Sequence, residues 1–276
     1  MGRHDGKVAV VSGAARGLGR EICRRLAEEG ADLICLDIAA QVETVPYPTA
    51  TGADLERTLE LVEETGASGL ALQVDVRRQD QLNDAIATAL ERFGRIDIVC
   101  PNAGILSHGT GWELDEDEWV QMIDIALNGA WRTARAAIPA MIDADRGGSI
   151  VFTSSAMGLK PAYGLSHYVA AKHGVVGLAR TLAVELGPHS IRVNTVNPGV
   201  TDTPLTFNEP TARAFVPDLA DPGRDDLAEL YAGLNLLPIS TLQPIDIANA
   251  VVWLTSDEAR YVTGVALPVD AGGLWK

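Results

Sequence analysis

Cysteine is scarce in this chain: 276 residues carry only Cys23, Cys35 and Cys100. They lie in or beside apolar runs, without pairing pattern or metal-ligand spacing. This argues against a disulfide framework and a metal centre, and suits buried thiols in a reducing cytosol. Bases are also few, 22 against 37 acids, for a formal net charge of −15. No basic stripe exists to neutralise phosphates, so nucleic acid is not an expected partner. The acids are spread over helix-like positions and form no polyacidic tail, so the charge reads as solubility with a bias against highly anionic substrates. No apolar run reaches membrane-spanning length. The opening MGRHDGKVAVVSG runs straight into a strand pattern with no signal-peptide character. The expected location is cytoplasmic, with no membrane partner. There is no internal repeat, no low-complexity tract and no second domain.

What the chain does have is apolar residues, 47% of the total, enough for one large core. Short apolar runs alternate with helix-length amphipathic segments. Strands are expected at Val8–Val11, Asp32–Leu36, Leu70–Val74, Ile96–Cys100, Ser149–Thr153, Ile191–Val196 and Val265–Pro268. Helices are expected at 17–29, 54–65, 79–93, 116–143, 166–187 and 244–255. Continuous apolarity in the short runs indicates strands covered on both faces. The alternation implies an α/β, Rossmann-type doubly wound parallel sheet in three αβα layers, a single domain over residues 1–276. Right-handed crossovers then put the strand C-termini and a ligand crevice on one edge. Two segments break the rhythm. Ile38–Gly52 is longer than the usual strand-to-helix connection and is stiffened by Pro46 and Pro48. Thr201–Asp226 is rich in Pro, Asp and Thr.

The first strand turns into the first helix through Ser12-Gly13-Ala14-Ala15-Arg16-Gly17-Leu18-Gly19. Glycines there allow positive φ and close backbone approach, and the helix end offers free N–H groups and a positive dipole to a pyrophosphate. The spacing is GxxxGxG and does not match the GxGxxG fingerprint. Asp37 ends the second strand, where a carboxylate can accept both ribose hydroxyls of NAD and repel a 2′-phosphate. Arg16 argues weakly the other way, since a guanidinium can pair with that phosphate. Asp75 and Val76 follow the third strand as an adenine contact. Pro101-Asn102-Ala103-Gly104 follows the fourth, and Thr203 lies past Pro198-Gly199, within reach of a carboxamide.

Tyr168 and Lys172 stand at i and i+4 on one helix face, with Ser155 at a strand end upstream. A free phenol, with a pKa of about 10, is a poor base at neutral pH. An ammonium about 4 Å away contributes roughly 4 kcal/mol at an effective dielectric of about 20, and so is expected to depress the phenol. Tyr168 could then take an alcohol proton or give it back, while Ser155 holds the same oxygen. The hydride chemistry belongs to a nicotinamide cofactor. Leu106, Ala156–Leu159, Tyr163, Leu165 and the 201–237 segment are the expected substrate side. Their apolar character suggests a neutral, hydrophobic secondary alcohol or ketone. His167 and His173 have no metal-like partners and read as structural or surface residues. Trp112, Trp119 and Trp131 read as packing residues.

With these residues in view, the chain resembles the short-chain dehydrogenase/reductase family over its whole length. Gly13, Gly17 and Gly19 match the family's glycine motif, with Ser12 where Thr is usual. Asn102-Ala103-Gly104 match its structural NAG, Ser155, Tyr168 and Lys172 its catalytic trio, and Pro198-Gly199 its loop after the sixth strand. The resemblance implies NAD as cofactor, held by Gly13, Arg16, Gly17, Leu18, Gly19, Asp37, Ile38, Asp75, Val76, Asn102, Ala103, Gly104, Pro198, Gly199, Val200 and Thr203 together with Tyr168 and Lys172. Substrate contacts would come from Leu106, Ala156, Met157 and Leu165. No metal is implied. A homotetramer is implied, pairing the 116–143 and 166–187 helices and, separately, the last strand and tail.

One departure stands out. The family places a further catalytic Asn three positions before a helix glycine; here the glycine is Gly129 and the position holds Ala126. Asn128, two residues away, is rotated by about 200° unless the helix is distorted. This puts the proton relay in question, not the hydride step, and reduced or altered activity is expected. The insertion at 38–52, with GRHDGKVA near the start and ARYVTGVALPVDAG near the end, resembles the carveol-dehydrogenase-like branch coupled to the redox peptide mycofactocin. That implies a cofactor-side loop covering NAD, which stays bound and is reoxidised in place. The leading reading is thus an NAD-dependent oxidoreductase for a hydrophobic, terpenol-like alcohol. A 3-oxoacyl carrier-protein reductase and a non-catalytic NAD-binding sensor stay open beside it. Asp37 and the acidic surface disfavour the first, and the intact trio disfavours the second.

Overall fold

A computed structural model describes residues 2–276. Seven strands form one parallel sheet: β1 (Val8–Ser12), β2 (Asp32–Asp37), β3 (Gly69–Gln73), β4 (Ile98–Cys100), β5 (Gly148–Thr153), β6 (Ile191–Pro198) and β7 (Ala266–Val269). Their spatial order is β3-β2-β1-β4-β5-β6-β7. The sheet is the expected one, with bounds moved by one or two residues. Its direction of growth reverses between β1 and β4, which opens a crevice at the strand C-termini.

Helices cover both faces because the central strands are apolar on both. On one face α1 (Gly17–Glu28), α2 (Gly52–Glu63) and α9 (Pro244–Thr255) bury Ile22, Leu26, Leu55, Val62, Ile247 and Val251 against Val11, Leu33 and Cys35. On the other, α3 (Gln79–Phe93), α5 (Ala130–Ala144) and α6 (Ser166–Leu186) bury Leu82, Ile86, Ala134, Met141, Val175 and Leu182 against Val10, Ile34 and Ile150. All three cysteines are buried thiols.

The single helix expected over 116–143 is interrupted. α4 (Glu116–Ile123) leads into a widened π turn, Asp124–Gly129, before α5. Asp124 accepts from Asn128 Nδ2 at 3.1 Å and from Arg132 at 2.7 Å, clamping the widened turn on its outer side. At Gly129 a Cβ would lie 2.6 Å from the Val76 side chain, so only glycine lets this turn pass the end of β3. Thr201–Asp226, expected to break the strand–helix rhythm, contains α7 (Glu209–Phe215), and α8 (Arg224–Ala232) begins at its end. Local capping outweighs its unpromising composition: Asn208 Oδ1 accepts from Thr211 N at 2.9 Å, and Asp226 accepts from Gly223 N at 2.8 Å.

The insertion between β2 and α2 has no regular structure, yet it is tied down throughout. Gln41 Nε2 donates to the carbonyls of Val42, Val45 and Tyr47, and its Oε1 accepts from Thr49 N. Outside the loop, Arg16 donates to Pro48 O at 2.8 Å, Thr44 bonds Gln121 on α4, and Tyr47 Oη accepts from Leu106 N at 3.0 Å. Val42, Val45 and Tyr47 are buried in a small core with Val76, Ile105, Met122, Ile125 and Ala126. The insertion is therefore a strap fastened to the rest of the fold at Thr44, Tyr47 and Pro48. Tyr47→Phe removes the acceptor for the Leu106 N–H, and leaving that buried donor unpaired costs about 1–3 kcal/mol. Urea unfolding should show a free energy of unfolding lower by that amount, with an earlier midpoint; an unchanged midpoint would mean that water replaces the tether.

Candidate active site

The glycine turn fits a dinucleotide because it is tight and uncapped. Gly13 and Gly17 take φ of +68° and +55°, and a Cβ on Gly19 would lie 1.9 Å from Gly13 O. Arg16 occupies the N-cap position of α1 without a side-chain cap, so the first N–H groups of the helix stay available. Gly19 does not line the cavity in front of the turn, although it is expected among the cofactor contacts; it packs behind the turn and sets its curvature. Asn102 spends its amide on Ser12 O and Gly13 O, at 3.1 and 3.2 Å, which locks the end of β4 onto the same turn.

Asp37 is 8% exposed at the tip of β2. Its carboxylate accepts from Ala15 N at 3.0 Å and Ala39 N at 2.9 Å, which fixes its direction and leaves lone pairs for vicinal hydroxyls. Arg16 is committed to Pro48 O, and its guanidinium lies 6.0 Å from the Tyr47 ring centroid. That bond uses one of five guanidinium N–H donors and ties the first βα turn to the insertion. Arg77 forks onto Asp75; burial works against the Asp75 charge, but the guanidinium and the Arg77 N–H hold the carboxyl below its usual range.

The reacting end forms where β5 meets α6. Ser155 follows β5 and caps a short turn, its Oγ accepting from Met157 N at 3.1 Å. Tyr168 and Lys172 share a face of α6, with Lys172 Nζ 5.6 Å from the Tyr168 ring centroid. Lys172 is 4% exposed and donates to Thr153 O at 2.9 Å. Ser154 Oγ returns a bond to Lys172 O at 2.9 Å. Burial pulls the Lys172 ammonium down to about 8. The expected depression of the phenol is not found: burial pushes Tyr168 up, with the Ser155 hydroxyl opposing it. Desolvation of the buried phenol outweighs its one opposing contact, the Ser155 hydroxyl.

Both ends open into one cavity of about 730 Å³. Every expected cofactor residue except Gly19 lines it, and so do Leu106, Ala156, Met157, Tyr163 and Leu165 of the expected substrate side, but not Gly158. Leu159 stays outside. Further lining comes from Tyr47, Thr153, Lys160, Phe215 and Tyr231, none of them marked by a sequence motif. Ala126 is buried in the small core beneath the strap, and Asn128, held by Asp124, does not reach the cavity. The π turn distorts the helix, but not so as to substitute Asn128 for the missing amide. His167 is buried and bonds Ser107 Oγ at 2.7 Å, and His173 is exposed. Trp112, expected to pack, lies in the turn before α4 and is instead 83% exposed, whereas Trp119 and Trp131 are partly covered, Trp131 by the Arg135 guanidinium 5.1 Å from its ring centroid. Among the described residues, no group of three or more His, Cys, Asp or Glu could hold a metal ion.

The family model for short chain dehydrogenase matches residues 7–214. The chain belongs to that family. Among its relatives, (−)-trans-carveol dehydrogenase of Rhodococcus erythropolis is 47% identical, over 99% of each chain. The crystal structure of carveol dehydrogenase from Mycobacterium avium in complex with NAD is similar at 48% identity, covering 100% of both chains with a TM-score of 0.98. A short chain dehydrogenase from Mycobacterium paratuberculosis bound to NAD is similar at 39% identity, again covering 100% of both, with a TM-score of 0.92.

In this short-chain dehydrogenase the buried lysine has a measurable signature. In the unfolded chain a lysine holds its proton to about pH 10.4. Folded, Lys172 releases it near pH 8. Between those values the unfolded chain binds more protons, so this residue's contribution to stability rises with pH. Below that window the folded protein carries the full cost, roughly 3 kcal/mol at 1.36 kcal/mol per unit. Lys172→Met removes the dependence. Denaturation of ligand-free protein should show the wild type gaining on the variant as pH rises through the window; parallel curves would sink the assignment.

Proposed function

We propose that this chain is an NAD-dependent oxidoreductase that interconverts a hydrophobic secondary alcohol and its ketone. The observation that carries the reading is the meeting of Ser155, Tyr168 and Lys172 on the wall of a cavity whose far end holds the glycine turn and Asp37. The residues present suit the cofactor: an uncapped helix end for the pyrophosphate, a fixed carboxylate for the adenosine ribose, and an ammonium with two N–H groups unspent. Bound NAD supplies the carbon that accepts or returns hydride. Ser155 Oγ holds the alcohol oxygen, and Tyr168 Oη takes its proton in oxidation or gives one in reduction. Lys172 lowers the cost of the phenolate.

The substrate class follows from the walls. Leu106, Met157, Leu165, Leu205, Phe215 and Leu230 make that end apolar, which suits a compact terpenol such as a carveol-like ring alcohol. The names of the relatives support the same class. Ala126 leaves the proton relay from Lys172 without a side-chain amide, and we expect a turnover and pH profile shaped by that loss. The strap supports a further step: NAD held in place between turnovers and reoxidised there, with mycofactocin as the electron carrier. Opening it would break the Arg16, Gln121 and Leu106 bonds together. Exposed Trp119, Trp131 and Val184 on α4 to α6, and Tyr261, Val265 and Trp275 near β7 and the tail, support assembly as a symmetric homotetramer. A cytoplasmic setting suits the buried free thiols; no described helix is long and apolar enough to cross a membrane.

Tyr168→Phe tests the chemistry. Its kcat for alcohol oxidation should fall by about 10²–10⁴-fold, the usual share of a positioned acid–base group, while NAD affinity stays near wild type. Turnover equal to wild type would remove the proposed role. The strap is tested separately by mass spectrometry of purified, denatured protein. Close to one NAD per chain is expected, and protein free of nucleotide that turns over readily on added NAD would overturn retention.

A further inference from the structure

Among the described residues, three buried side-chain polar atoms lack a hydrogen-bond partner: His4 Nδ1, Thr153 Oγ1 and His167 Nδ1. Of these residues only Thr153 lines the large cavity. It is the last residue of β5 and is 7% exposed. Its backbone is fully engaged, the N–H donating to Pro101 O at 3.0 Å and the carbonyl accepting from Lys172 Nζ at 2.9 Å. The strand end therefore cannot shift to relieve the hydroxyl, and a β-branched side chain has few rotamers to try. A buried hydroxyl without a partner is unfavourable unless something that enters the cavity completes it.

The neighbourhood narrows what that something is. Lys172 Nζ has one protein partner and three N–H groups, so it offers donors only. A threonine hydroxyl both donates and accepts. Side by side on one wall, the two call for a group that can also do both. Ile125 on the π turn adds lining but no polar side-chain atom, and Ser155 is placed with Tyr168 for the reacting oxygen. Vicinal hydroxyls of a sugar can serve both residues at once, whereas the single oxygen of an apolar alcohol is already taken by Ser155 and Tyr168.

We propose that Thr153 Oγ1 is a cofactor contact, bonding the ribose on the nicotinamide side of NAD beside Lys172. This rests on the nicotinamide reading above and adds a residue that no motif marks. Calorimetric titration of protein stripped of nucleotide tests it with three ligands: NAD, ADP-ribose, which keeps the second ribose but lacks nicotinamide, and ADP, which lacks both. Thr153→Val keeps the shape and deletes the hydroxyl; Thr153→Ser keeps the hydroxyl. For Thr153→Val, NAD and ADP-ribose should bind about 5- to 10-fold more weakly, the usual worth of one neutral hydrogen bond, with ADP within about twofold of wild type. Thr153→Ser should recover most of the loss. Unchanged NAD binding in Thr153→Val overturns the proposal. So does an equal loss on ADP, which would mean general distortion, or a loss on NAD that ADP-ribose does not share, which would place the contact on the nicotinamide ring. Wild-type protein that binds none of the three would overturn the nicotinamide reading and this inference together; failure confined to the variant leaves that reading standing.

Discussion

Two crossed bonds join β5 to α6. Lys172 Nζ reaches back to Thr153 O, and Ser154 Oγ reaches forward to Lys172 O. Between them they set the register of a 21-residue helix against the end of a central strand. Ser155 and Tyr168 come together because of that register, since neither is near the other along the chain. A buried ammonium is expensive, and burial already pulls Lys172 down to about 8. The fold tolerates it only with a carbonyl in contact. The cofactor end is built by the same kind of close fit, with Gly13, Gly19 and Asn102 leaving no room for a side chain.

The strap changes the character of the cavity. Without it, the crevice at the β1–β4 reversal would be open on the adenosine side, as the doubly wound topology dictates. With it, Tyr47 spans from the first βα turn to the loop that carries Leu106, so the two halves of the cavity share a wall. Ala126 belongs to the same small core as Val42, Val45 and Tyr47. A small apolar residue at that position is compatible with the packing of the strap, and a polar amide there would have to be satisfied inside it.

Much of this was legible in the chain. Period and apolarity located all seven strands, because parallel strands buried on two faces are continuously hydrophobic. Gly13, Gly17, Asp37, Ser155, Tyr168 and Lys172 stood out because each occupies a strand end or a single helix face, where spacing along the chain translates into position. The helices at 209–215 and 224–232 did not stand out, since Asn208 and Asp226 start them locally within a stretch whose composition reads as loop. The break at Asp124–Gly129 was equally hidden, because it arises from the passage of Gly129 over Val76, a contact distant in sequence.

The amino-acid order by itself determined the sheet, the glycine turn, the acid at the tip of β2 and the Ser-Tyr-Lys set, all of which follow from local periodicity and residue chemistry. Only the tertiary structure decided the state of those groups. It showed that burial raises the phenol more than the Ser155 hydroxyl lowers it, that Arg16 ties the strap to the first βα turn, that Gly19 lies behind the cavity, and that Thr153 faces the cavity with an unpaired hydroxyl. Desolvation and hydrogen-bond satisfaction depend on what surrounds a group in space, and most of those neighbours lie tens of residues away along the chain.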